Sequence, residues 1–206
     1  MNYEKNSTGD RDKKPAPISG TRKIAGVAIF TAIVVLLQLL GSAIHVGPFS
    51  ISLVLLPIVI GSALYGIDAG EWLGFVFGAV VLLSGDASLF LAVSIPGAIL
   101  VCIIKGIVSG IGAGAMYKLG ARRSDSLGVI FAAVAAPVCN TGVFLLGCLV
   151  FFMEPINEWA RAAGMENVGV YMITAFVGIN FLIEMGINIL LAPVTVRLIK
   201  LARKVH

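Results

Sequence analysis

From Ile24 to Ile44 the chain runs through 21 residues without one formally charged side chain. About 20 such residues cover the roughly 30 Å of hydrocarbon in a bilayer. Backbone groups in that medium must bond to one another, so the stretch is confined to a helix or a closed barrel. The rest of the chain is similar. Apolar residues make up 58% of the 206, charged residues 13%, and the mean hydropathy is +1.00. A soluble domain carries about twice that share of charge. A water-soluble enzyme, a nucleic-acid binder and a disordered chain are therefore excluded as readings. The net charge of +4 belongs to residues that flank apolar runs, not to a nucleic-acid surface. Cys102, Cys139 and Cys148 sit inside apolar runs without metal-ligand spacing, so they read as small buried hydrophobes.

Six spans are expected. The first is Ile24–Ile44 and the second about Ser50–Gly66, with Pro57 inside it. A short third lies between Glu71 and Asp86. The fourth covers Ile95–Tyr117 and holds Lys105; the fifth is Leu127–Phe152; the sixth is Val170–Val196 and holds Glu184. The fold class is thus all-α, an integral membrane bundle of six transmembrane helices over residues 21–206. Residues 1–20 are polar, with Pro15, Pro17 and Gly20, and read as a disordered cytoplasmic tail.

The basic residues set the orientation. Lys5, Arg11, Lys13, Lys14, Arg22 and Lys23 precede the first span. Lys118, Arg122 and Arg123 separate the fourth and fifth, and Arg197, Lys200, Arg203 and Lys204 follow the sixth. These are 13 of 15 basic residues, all on one side of a six-span topology, so both termini are expected in the cytoplasm. His45–Phe49, Gly85–Ser94 and Met153–Gly169 then fall outside, where long loops suit a lid over a ligand. Ile156–Ala163 has the pattern of a short interfacial helix.

Two stripes of small residues stand out: Gly70, Gly74 and Gly78 on the third helix, and Gly106, Gly110 and Gly114 on the fourth. Such spacing lets backbones approach closely. Packing within the bundle is the simpler reading, and a partner surface is the other. Ala28 and Ala32, with Ala25 beside them, make a weaker element of the same kind on the first helix.

Polar side chains in hydrocarbon are costly and face inward by default. Lys105 lies ten residues into the fourth helix, about 15 Å at 1.5 Å per residue. Asn140 and Asn180 fall at similar depth on the fifth and sixth, with Glu184 one turn from Asn180. Asn180, Glu184 and Asn188 share a helix face. These groups describe a polar binding site in the bundle core, with His45 and Asp86 near its outer mouth. The competing reading is a structural pair of Lys105 with Glu184. Pro137 loosens the helix close to Asn140. No HExxH, GxSxG or Walker sequence occurs, so neither catalysis, a cofactor nor a metal is expected, and the chain has no P-loop route to ATP.

Taken in order, several pieces carry a resemblance. Arg22-Lys23 leads into Ala28 and Ala32. Leu56-Pro57-Ile58 is followed by Gly61, Tyr65-Gly66 and the first glycine stripe. Lys105-Gly106 runs through Gly110 and Gly114 to Tyr117-Lys118. Over residues 21–204 the chain resembles the S components, the substrate-binding membrane subunits of energy-coupling factor (ECF) vitamin transporters. The resemblance implies capture of a vitamin or similar micronutrient from outside a prokaryotic plasma membrane. It implies partnership with a membrane coupling subunit and two ATPase subunits, contacted through Ala25, Ala28 and Ala32. The site residues it implies are His45, Lys105, Asn140, Asn180 and Glu184. Pantothenate, riboflavin and other vitamin-like compounds remain open: Lys105 suits a carboxylate and Glu184 suits donor groups, whereas riboflavin-taking relatives tend to carry a lysine on the sixth helix. Three rivals stand beside it: a stand-alone proton-coupled carrier or channel using Lys105 and Glu184, an assembly protein without ligand, and a membrane enzyme.

The topology has a direct check. In a background freed of the three native cysteines, Arg161→Cys should react with an impermeant thiol reagent added outside intact cells, and Arg122→Cys should be spared. Equal labelling of both would overturn the orientation.

Overall fold

The computed structural model describes residues 20–43, 45–46, 49–50 and 53–204. Apart from Gly20, the expected tail lies outside these residues. Helix α1 spans Gly20–Gly41 and is followed by two paired antiparallel strands, β1 (His45–Val46) and β2 (Phe49–Ser50). Then come α2 (Leu55–Tyr65), α3 (Ile67–Leu83), the single turn α4 (Ser88–Leu91), α5 (Ile95–Ala121), α6 (Asp125–Phe151) and α7 (Met153–Ala162). The chain closes with α8 (Val168–Tyr171), a π-helical stretch Met172–Val177, α9 (Gly178–Leu190) and α10 (Ala192–Lys204).

By length and apolarity, α1, α5 and α6 can each cross a bilayer, and the bent stretch containing α8 and α9 makes a fourth. The second expected span is shorter than its charge-free run, because the strand pair takes up its beginning. Pro57 is tolerated since it falls in the first turn of α2, where the N–H has no helical partner. Gly66, at φ +100°, breaks the chain between α2 and α3, a conformation that glycine adopts without steric cost. The third helix is longer than expected, 17 residues, because Asp68 and Glu71 are accommodated in its first turns. Asp68 is exposed there and pairs with Lys23 at 3.6 Å. The sixth expected span is not one helix. It turns by 41° between Val168–Phe176 and Phe181–Leu190, across the π-helical stretch, and breaks again at Leu191. A π-stretch shifts the hydrogen-bond ladder by one residue and bends a helix without proline. The helix expected near Ile156–Ala163 is present as α7, buried through Ile156 and Ala160.

The distribution of side chains is inverted relative to a water-soluble protein. Large apolar residues stand exposed around the bundle, among them Leu36, Leu40, Leu83, Leu146, Val150, Leu182 and Leu190. Gln38, Ser109, Asn140, Glu184, Asn188 and Thr195 are buried. A contiguous apolar exterior of this extent is a surface for lipid, not water.

One seam holds the centre together. Gly70, Gly74 and Gly78 of α3 lie directly against Gly110, Gly106 and Cys102 of α5, backbone on backbone, and a Cβ at any of the five glycines would run into a main-chain carbonyl opposite. The glycine stripes therefore serve packing within the bundle. Helix α6 runs antiparallel beside α5, and the Ser109 hydroxyl donates to the Ala136 carbonyl at 2.9 Å. Ser94 and Ser124 cap the starts of α5 and α6, each accepting from the N–H three residues on. This arrangement gathers α4 and α7 at one end of the bundle, the loop end. Lys23, Lys118, Arg122 and Arg123 gather at the other, the basic end.

The seam predicts a contrast. Gly74→Ala or Gly106→Ala should cost about 1–3 kcal/mol or more through overpacking against rigid backbone. Gly142→Ala, where a Cβ meets nothing within 4 Å, should be neutral or stabilising by about 0.5–1 kcal/mol. Melting of the purified variants in detergent checks this; equal effects at the three positions would refute the seam.

Candidate functional site: an aromatic cavity with one ammonium

The two contacts just described fix the level of each polar residue. Ser109 against Ala136 sets the antiparallel register of α5 and α6, so Lys105 is level with Asn140, and Phe144 lies one turn nearer the loop end. Side chains lean toward the N-terminus of their own helix. Lys105 therefore reaches toward the loop end, and Asn140 leans toward the basic end. On the other side, the glycine seam puts Phe77 of α3 just loop-ward of Lys105, leaning back toward it.

The Lys105 ammonium ends between two rings, 5.4 Å from the centre of Phe77 and 5.6 Å from that of Phe144. A cation over a ring face gains about 0.5–1 kcal/mol where water has access, and about 2 kcal/mol where it is excluded; Lys105 is half-buried. Among the described residues no salt bridge joins Lys105 to an acid. Lys105 and Glu184, the two members of the competing structural pair, line the same cavity.

That cavity has about 850 Å³ of space outside the atoms, counting where it opens to solvent. Lys105, Asn140 and Glu184 line it together, so the structure brings together three of the expected site residues. Asn180 is on α9, one turn from Glu184, and His45 is in β1; the side chains of both lie outside the described residues. Asn188 donates to the Glu184 main-chain carbonyl at 2.8 Å and does not line the cavity.

Two polar residues were not expected to act together. Gln38, 2% exposed, comes from α1 and donates through Nε2 to Asp86 Oδ2. Ser84 donates to the same oxygen at 3.2 Å. Both Gln38 and Asp86 line the cavity, so Asp86, expected near its mouth, is part of its wall. The signal available was Gln38 itself, a lone amide in a charge-free helix. Asn140 is 8% exposed, and its Oδ1 has no hydrogen-bond partner.

Aromatic rings close the loop end. Phe90 of α4 meets Phe144, Phe152, Trp159 and Phe176 edge-on, with ring centres 5.0–6.1 Å apart. Tyr171 packs on Phe176 at 5.7 Å. Each such pair adds about 0.5–1.5 kcal/mol beyond the area it buries. The lining is thus an apolar cage with a few polar atoms aimed into it, the composition of a small-molecule site. On the outside of α1, Ala25, Ala28 and Ala32 are exposed and share one stripe with Leu36, away from the buried Gly26, Val34 and Gln38.

An apolar exterior, several long apolar helices and an internal cavity define a multi-pass membrane protein with a ligand-sized site in its core. A profile of the family described as ECF transporter, substrate-specific component, matches residues 22–196. The chain belongs to this family, whose members are transporter components and not enzymes. It is 29% identical over 197 residues to the pantothenic acid transporter PanT of Lactococcus lactis subsp. cremoris (strain MG1363), a match covering 87% of this chain and 94% of that protein. No solved structure matches.

Proposed function

We propose that this protein is the S component of an ECF importer that captures pantothenate, or a closely similar acid, from outside a prokaryotic plasma membrane. The observation that carries this is the Lys105 ammonium. It stands in an aromatic cage, held by rings and by no carboxylate among the described residues. Lys105 is half-buried in a cavity that opens to solvent, and an entering carboxylate would find the ammonium there without a salt bridge among the described residues. The likeness to a pantothenic acid transporter supports the same chemistry. Asn140 and Glu184 line the cavity as further contacts, and Asn180 and His45 are assigned to the site from their places in the chain.

In this reading residues 21–206 form one domain of six spans with both termini cytoplasmic, preceded by the tail 1–20. Helices α2 and α3 count as two spans, and α8 through α9 as one. The exposed stripe Ala25–Ala28–Ala32 docks on the membrane coupling subunit, which works with two ATPases. The proton-coupled carrier reading instead uses Lys105 and Glu184 as a relay, and both line the cavity.

Purified alone, the chain should bind pantothenate without ATP. Lys105→Met should weaken that binding about ten- to a hundredfold, as loss of a charged hydrogen bond does. Ala28→Trp or Ala32→Trp should abolish co-purification with the coupling subunit and leave pantothenate affinity unchanged. Unaltered binding by Lys105→Met would remove the anchor. Ion-driven accumulation by the isolated chain in liposomes would favour the carrier.

A further inference from the structure

Helix α10 differs from the apolar helices before it. Its residues include Arg197, Lys200, Arg203 and Lys204 and no acid. Hydrocarbon does not tolerate such a run of cations, so α10 carries the chain out of the apolar layer. The helix divides into three stripes. Ala192, Thr195 and Ile199 are buried where α10 packs beside α6 and α2. Val194, Leu198 and Leu201, at i, i+4 and i+7, form a second stripe that is 44–59% exposed. Arg197 and Lys200, one turn apart, stand exposed on the stripe next to it. Among the described residues neither has an acid partner. The described acids at this end of the bundle are Asp68, Glu71 and Asp125. Asp68 pairs with Lys23, and Asp125 accepts from the Tyr117 hydroxyl at 3.1 Å.

Exposed leucines beside exposed cations on one helix suit neither pure water nor pure hydrocarbon. Water leaves the leucines unmatched, and hydrocarbon leaves the cations unmatched. The boundary between the two satisfies both. Arg197 and Lys200 are about 4.5 Å apart along the axis, which fits within a headgroup layer about 5–7 Å deep. We infer that α10 is a receptor for anionic phospholipid in the leaflet at the basic end. Arg197 and Lys200 bind the phosphates, and Val194, Leu198 and Leu201 lie against the acyl chains. Both cations follow the stretch 22–196 that the family profile matches.

The test follows hydrogen exchange of the α10 amides in the full chain. One set of nanodiscs holds phosphatidylcholine alone, and the other holds phosphatidylcholine with one-third phosphatidylglycerol. Exchange should be about ten- to a hundredfold slower with phosphatidylglycerol, as two charge contacts to an anionic surface imply. High salt should shrink the difference. Arg197→Gln with Lys200→Gln should bring it below about threefold, whereas Arg122→Gln with Arg123→Gln should leave it intact. Equal exchange of wild type in the two lipids overturns the inference, and does so whether or not the variants fold. Equal losses in the two double variants also overturn it, because attraction is then spread over the whole basic end. Leu198→Gln with Leu201→Gln should weaken the lipid effect; a full effect in that variant would show attraction without insertion and overturn the assignment of the apolar stripe. Free glycerol 3-phosphate that protects α10 in phosphatidylcholine discs as well as phosphatidylglycerol does would give the site to a soluble anion and overturn the lipid.

Discussion

The backbone contact between α3 and α5 is the constraint on which the site depends. Gly74 and Gly106 meet with no side chain between them, and Gly70 with Gly110 repeats the contact one turn away. Helices this close leave no freedom in register, because each carbonyl sits where a Cβ would otherwise be. The register puts Phe77 beside Lys105, and Ser109 on the Ala136 carbonyl extends it to α6, Asn140 and Phe144. A slip of one residue along either interface would turn the ammonium or its rings away from the cavity. In hydrocarbon there is no hydrophobic force to drive such packing, so small residues and close dispersion contacts supply it.

Around that seam the bundle separates two tasks. Its outer surface is apolar on nearly every helix and meets lipid. Its interior keeps a few polar atoms away from lipid, partly satisfied by one another: Gln38 on Asp86, Asn188 on the Glu184 carbonyl, Ser109 on α6. Among the described residues two buried amide oxygens, Oδ1 of Asn140 and Oδ1 of Asn188, have no hydrogen-bond partner, while the ammonium of Lys105 lies in the cavity beside the rings of Phe77 and Phe144.

Much of this was legible in the residues. The spans α1, α5 and α6 follow from length and scarcity of charge, and the glycine stripes announce close approach wherever they pack. Lys105, Asn140 and Glu184 could be brought together in advance because each is costly in hydrocarbon and all three fall at one depth. The rest was hidden for physical reasons. The bond from Gln38 to Asp86 joins residues 48 apart in the chain and has no local periodicity. The phenylalanine cage looks like any apolar stretch, since an aromatic ring that holds a cation and one that meets lipid are the same letter. The bend across Met172–Val177 carries no proline to mark it. Charge left open whether Lys105 pairs with Glu184 or meets a ligand, and the two rings beside its ammonium had no signal in the sequence.

The central claim is that Lys105 is an anion receptor. Mass spectrometry of the small molecules retained by the protein, purified from cells grown in rich medium, tests it most directly. The account predicts a carboxylic acid, pantothenate foremost, in wild type and its absence from Lys105→Met prepared in parallel. A neutral or cationic compound retained equally by both proteins would contradict it.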